Sequence, residues 1–122
     1  MLKYNKILFT GSFGRFGSIF KKINKNKIYL YPTRKQLDIT KKNSINNYFK
    51  KNKPKLVIHC AALSRPMNIH DEKIEKSITT NIIGTSNLVN ECIKGKIKII
   101  YLSTNYVYPG NKGNYTEASN LN

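Results

Sequence analysis

Thr10-Gly11-Ser12-Phe13-Gly14-Arg15-Phe16-Gly17 places a hydroxyl, an arginine and three glycines at the spacing GxxGxxG. Glycine at the first position allows a tight turn, at the second lets the backbone approach an anion, and at the third permits a helix to pack closely on a strand. Where a strand leads in and a helix leads out, the free N–H groups of the helix start face the same point. The chemistry expected there is the binding of a phosphate or pyrophosphate. Three glycines also suit a plain strand-to-helix turn, and it is the place of the motif in a βαβ unit that separates the two readings. Downstream, Leu30-Tyr31-Pro32-Thr33-Arg34 carries no Asp or Glu to hold a ribose hydroxyl. Arg34 or Arg15 can instead pair with a phosphate on that ribose, the alternative being that both arginines are merely solvated.

The remaining candidates have plainer readings. His59 lies inside the apolar run Leu56-Val57-Ile58-His59-Cys60 and is expected to be a satisfied core histidine, since His70 and the few acids show no triad spacing. Tyr106 and Tyr108 are expected to pack or to line a pocket. Arg65, in Ser64-Arg65-Pro66-Met67, either reaches a substrate phosphate or is an ordinary loop arginine. Cys60 and Cys92 have neither metal nor redox spacing, so both are expected to be reduced core residues, and no metal is expected.

Short apolar runs bounded by Gly, Pro or polar clusters alternate with stretches of helical period, which predicts an α/β fold built on a parallel sheet. Ile7-Leu8-Phe9 reads as the first strand, and Gly14 to Ile23 as a helix with Phe16, Ile19, Phe20 and Ile23 on one face. Ile28 to Tyr31 reads as the second strand. Thr40 is expected to cap a second helix carrying Ile45, Tyr48 and Phe49, with Pro54 just past its end. Leu56 to Cys60 has the continuous apolar character of a central strand. A longer helix is expected between Asp71 and Lys94, with Ile74, Ile78, Ile82, Thr85, Val89 and Cys92 at helical spacing and Gly95 as its stop. Ile97 to Leu102 is the fourth strand, and a turn-rich loop follows from Tyr108. Right-handed crossovers put helices on both faces, with the expected strand order 3-2-1-4 and a ligand crevice at the switch point between strands one and four.

The 122 residues are expected to form one domain, 1–122. The net charge of +16 would draw phosphate polymers or an anionic membrane. Yet the lysines are spread along the chain, and its richness in Lys, Asn and Ile is what AT-rich codons supply, so no specific nucleic acid or membrane partner is expected. The apolar runs are too short to span a bilayer, and the start has neither a long apolar stretch nor a cleavage site, so a cytoplasmic location is expected.

Five motifs in register carry a resemblance: Thr10-Gly11 with Gly14 and Gly17, Leu37-Asp38-Ile39-Thr40, His59-Cys60-Ala61-Ala62, Asn81-Ile82-Ile83-Gly84-Thr85, and Leu102-Ser103-Thr104-Asn105-Tyr106-Val107-Tyr108. In order and spacing they are similar to extended short-chain dehydrogenase/reductases, and most closely resemble the dTDP-4-dehydrorhamnose reductase branch. The resemblance implies a Rossmann-type domain that binds NADP or NAD, with NADP favoured by the missing acid after strand two. It implies cofactor contacts from Thr10, Gly11, Ser12, Phe13, Gly14, Arg15, Phe16, Gly17, Arg34, Asp38 at the adenine, Ile39, Ala61, Ala62 and Leu63. It further implies that Thr104 polarises the reacting oxygen of a nucleotide-linked sugar, that Asn81 supports the water network of the active site, and that Ser64, Asn105 and Tyr106 meet the substrate.

Two departures from the family pattern stand out. Asn105 follows Thr104 where the reductase branch commonly has Asp, which leaves reductase, epimerase and dehydratase substrates open. The family's acid/base Tyr and Lys, in Tyr-x-x-x-Lys, are expected beyond Asn122, so the domain is expected to be truncated and inactive by itself. Its fourth strand would then be a bare apolar edge that invites association, with pairing of two copies left open. A non-catalytic dinucleotide-binding module acting through a partner, and a basic nucleic-acid-binding protein, are the competing classes.

Overall fold

Four short apolar runs form four parallel strands, and the helical stretches between them return the chain across the sheet. The computed structural model describes residues 4–64, 68–103 and 107–121. In chain order the elements are β1 (Ile7–Thr10), α1 (Arg15–Ile23), β2 (Tyr29–Leu30), α2 (Lys42–Asn52), β3 (Leu56–His59), α3 (Ile69–Glu72), α4 (Ile74–Ser77), a π-helical turn (Ile78–Ile83), α5 (Gly84–Lys94) and β4 (Lys98–Tyr101). The α/β class and the parallel sheet are as the sequence predicts.

The strand order is β2-β1-β3-β4, which corrects the expected 3-2-1-4. A run apolar on both faces, as Leu56-Val57-Ile58-His59 is, belongs in the sheet interior, and an order of 3-2-1-4 would strand it at an edge. Residues 33–40 add no strand beyond β2. Helix α2 then carries the chain back over β1, so that Ile7, Leu8, Phe9 and Thr10 pair with Leu56, Val57, Ile58 and His59 on the side of β1 away from β2. The switch point therefore lies between β1 and β3.

Right-handed crossovers running in opposite directions put α1 on one face and α2 with α5 on the other. On the second face Leu8 and Val57 meet Ile45 and Phe49 of α2 and Leu88 and Cys92 of α5, with Leu37 and Ile39 closing the cluster. On the first face Phe9 stacks on Phe20 of α1 at 4.7 Å, and Tyr29 and Tyr31 extend the aromatic group. The apolar face expected for α1 is only partly covered: Phe16, Ile19 and Ile23 are 54%, 60% and 73% exposed.

One local expectation is corrected and another refined. Thr40 does not cap α2, whose N-cap is Lys41, because the Thr40 hydroxyl donates to the stronger acceptor Asp38 Oδ1 at 2.7 Å. The helix expected between Asp71 and Lys94 runs without a break from Ile74 to Lys94 through α4, the π-turn and α5, with the short α3 before it, and it stops at Gly95 as expected; what the sequence does not announce is the π-turn within it.

Candidate functional site

Strand β1 ends at Thr10 and the chain turns at Gly11, whose φ of +74° favours glycine. A Cβ there would come within 2.6 Å of the Cys60 carbonyl carbon and 2.7 Å of the Ala61 nitrogen, so the glycine loop lies directly on the exit from β3. At Gly17 a Cβ would run into the Gly11 carbonyl and come within 2.6 Å of Ser12 Cα, so α1 leaves this close to β1 only with glycine there. Gly14 differs. A Cβ would meet nothing nearer than the Gly11 carbonyl oxygen at 3.3 Å, and the residue lines an open cleft. Gly14 is also the N-cap of α1, with no side-chain cap and no acid in the first turn, so the positive end of this helix is uncompensated. A cradle whose second glycine lines the cleft and whose helix start lacks an internal anion fits a pyrophosphate.

His59 holds the two strand ends together. It is fully buried, as expected of a core histidine. Thr10 Oγ1 accepts the Cys60 and Ala61 N–H groups at 3.3 Å each, so its own proton goes to His59 Nδ1 at 2.7 Å. That leaves the ring proton on Nε2, donated to Thr85 Oγ1 of α5 at 3.0 Å. Burial pushes the imidazole pKa down to about 4, so the ring is neutral.

The cleft above these strand ends has a volume of about 310 Å³. Thr10, Gly11, Ser12, Phe13 and Gly14 form its floor, Arg34 and Ile39 one wall, and Ala61, Ala62 and Leu63 the other. Of the residues singled out for the cofactor, Arg15, Phe16, Gly17 and Asp38 are not on its lining. Arg15 and Phe16 are exposed at the start of α1, and Gly17 is buried in the helix-to-strand contact. The Asp38 carboxylate is engaged in its own turn, accepting the Thr40 N–H at 3.0 Å and the Thr40 hydroxyl, with Arg34 at 3.8 Å. Partial burial opposes its ionisation, but the Thr40 hydrogen bonds and the charges of Arg34 and Lys41 outweigh that and hold its pKa below the ordinary carboxylate range. Ser64 is exposed next to Leu63. Asn81 spends its amide on the Leu63 backbone, accepting the N–H at 2.7 Å and donating to the carbonyl at 2.9 Å. Arg65, Thr104, Asn105 and Tyr106 lie outside the described residues.

Sequence reasoning missed Pro32, Leu37, Thr40, Cys60, Lys76 and Thr80 on the lining. Leu37, Thr40 and Cys60 adjoin motif residues, while Lys76 and Thr80 share a helical face four residues apart. Burial raises the Cys60 thiol pKa, which keeps it protonated on the cleft wall. The spacing Tyr-x-x-x-Lys, expected only beyond Asn122, does occur at Tyr31 with Lys35 and at Tyr108 with Lys112. Neither pair lies on a helix, so the spacing does not put Lys beneath Tyr, and Tyr108 stacks instead on Tyr115 at 4.9 Å. Among the described residues no helix is long and apolar enough to cross a membrane.

Known proteins match this arrangement. The chain is 27% identical over 123 residues to methionine adenosyltransferase 2 subunit beta of Xenopus tropicalis, covering 93% of this chain and 36% of that protein. The crystal structure of a dTDP-4-dehydrorhamnose reductase from Clostridium acetobutylicum superposes with a TM-score of 0.81 at 32% identity, over 96% of this chain and 42% of that one. The dTDP-4-dehydrorhamnose reductase of Bacillus anthracis, solved in complex with NADP, has the same fold, with a TM-score of 0.79 at 24% identity over 88% of this chain and 39% of that one. The chain thus spans well under half the length of these proteins. The family model described as RmlD substrate binding domain matches residues 5–122, and the chain belongs to that family.

Proposed function

We propose that this chain is the dinucleotide-binding part of a nucleotide-sugar oxidoreductase that uses NADPH in preference to NADH. The observation that carries this reading is the cleft at the switch point between β1 and β3, floored by a helix start with no side-chain cap and by Gly14, whose missing side chain leaves that floor open. Arg34 on the lining, with no acid in the residues Tyr31 to Arg34 that directly follow β2, supports NADPH over NADH. When bound, the reduced nicotinamide supplies hydride to a keto-sugar. The chain's own share is orientation: the glycine loop and α1 hold the pyrophosphate, and Ala61 to Leu63 wall the nicotinamide side. Thr104 polarises the reacting oxygen, and Ser64, Asn105 and Tyr106 meet the sugar. The acid/base step belongs to a Tyr and Lys on a helix, an arrangement met by no Tyr-x-x-x-Lys pair among the described residues. Cytoplasmic location and action without nucleic acid belong to the same reading.

A second reading has a specific support. One of the relatives is named as the beta subunit of a different enzyme, which favours a dinucleotide-binding module that acts through a protein partner. Both readings require the cofactor, and only the first requires sugar turnover.

The experiment is calorimetric titration of NADPH and NADH into wild type and Gly14→Val. A valine at the α1 N-cap puts its Cβ 3.3 Å from the Gly11 carbonyl oxygen, which must give by a few tenths of an ångström, and its side chain fills the cleft floor, so binding should weaken by about tenfold or more, beyond what any fall in Tm accounts for. Equal affinity in the two proteins would show that the dinucleotide does not occupy this cleft.

A further inference from the structure

One helical run touches both walls of the cleft. The π-turn passes directly into α5, and two asparagines six residues apart use their side-chain amides on backbone outside the helix. Asn81 grips the Leu63 peptide from both sides, supplying the acceptor and the donor that a neighbouring strand would otherwise supply to this irregular segment. Asn87, buried in α5, donates from Nδ2 to the Ile39 carbonyl at 3.3 Å and to the Thr40 carbonyl at 3.4 Å. Between them Gly84 lets the helix approach, since a Cβ there would come within 2.9 Å of Ile39 Cγ1. At 1.5 Å of rise per residue the two grips stand roughly 9 Å apart along the axis, held by a rigid element. The wall at Ile39 and Thr40 belongs to the connection from β2 to α2, and beyond β2 is where this class of fold takes the adenosine half. The wall at Leu63 lies beyond the glycine loop, on the nicotinamide side.

We propose that Asn87 and Asn81 are positioning residues for the two halves of the dinucleotide: Asn87 sets the Ile39–Thr40 wall for adenosine, and Asn81 sets the Leu63 wall for nicotinamide. This rests on the dinucleotide reading above. Neither asparagine acts on the reacting atoms; each acts through the backbone it holds.

The test compares NADPH with adenosine 2′,5′-bisphosphate, which carries only the adenosine half, on wild type, Asn87→Leu and Asn81→Leu. Asn87→Leu should weaken both ligands by a similar factor of about tenfold, the scale of lost hydrogen bonds to a buried site. Asn81→Leu should weaken NADPH by about as much and leave the bisphosphate within about twofold. Simple destabilisation would weaken the two ligands in step in both variants, and that result, or no change in either, would overturn the proposal. Should the leucine variants not fold, Asn87→Ser and Asn81→Ser read the same pattern. In the wild type alone, the Leu63 amide should exchange slowly with solvent deuterium before any ligand is added, and exchange at the free-chain rate would also overturn the proposal. Failure of the wild type to bind either ligand would instead bring down the dinucleotide reading itself.

Discussion

Arg34 on the cleft wall and Arg15 at the exposed start of α1 offer the same guanidinium in different places. Of the two, only Arg34 lines the cleft, and on the dinucleotide reading it is the one to meet a phosphate on the ribose. Arg34→Ala should therefore lower NADPH affinity by about tenfold or more while changing NADH less, the scale of one charge-assisted hydrogen bond. Arg15→Ala should leave the ratio of the two affinities nearly unchanged, and paired titrations of both cofactors read it directly. A second residue-scale effect comes from His59, whose pKa is about 4 in the fold against 6.5 as an ordinary imidazole. A base that the fold keeps neutral takes up its proton in the unfolded chain first. Its contribution is thus complete above about pH 6.5 and is lost as pH falls, by roughly 3 kcal/mol on reaching pH 4. Urea midpoints measured from about pH 7.5 down to pH 4.5 should fall accordingly, and a flat profile would contradict the neutral, buried ring. The glycine loop and His59 were legible in the sequence because their reasons are local. Asp38 was not, because the Thr40 turn that occupies its carboxylate depends on how the chain enters α2.

At the scale of elements, strands and helices follow from apolar runs and period, while their arrangement depends on connections that carry little pattern. The stretch 33–40 decides the strand order by adding no strand, and nothing in its composition announces that choice. The π-turn is likewise invisible to a period of 3.6. One extra residue in a turn rotates everything beyond it by about 100°, which shifts the buried stripe. Ile74, Ile78 and Ile82, expected on the buried face, are 58%, 43% and 63% exposed, whereas Cys92 of the same expected stripe is buried, together with Gly84, Asn87 and Leu88. Truncations separate the two faces. Leu88→Ala, fully buried against the core of the sheet, should cost about 2–5 kcal/mol. Ile82→Ala should stay within about 0.5 kcal/mol. Comparable losses at both positions in chemical denaturation would place the stripe where the simple period puts it.

At the scale of the molecule, the sheet is covered unevenly. Helices α2 and α5 close one face with a continuous core, whereas α1 alone covers the other and leaves Phe16, Ile19, Ile23 and, on β4, Ile100 half-exposed or more. Water already in contact with these groups in the native state is not newly exposed on unfolding. The heat-capacity increment of unfolding should accordingly fall below the roughly 12–15 cal/mol/K per residue of ordinary domains, which flattens the curve of stability against temperature. Differential scanning calorimetry over a range of midpoints set by pH measures this increment, and an ordinary value would mean that the second face is covered in solution. The uneven coverage thus has a thermal consequence. A flatter curve makes stability change little on either side of its maximum, so this chain would soften slowly with heat where a fully enclosed domain of its length melts abruptly.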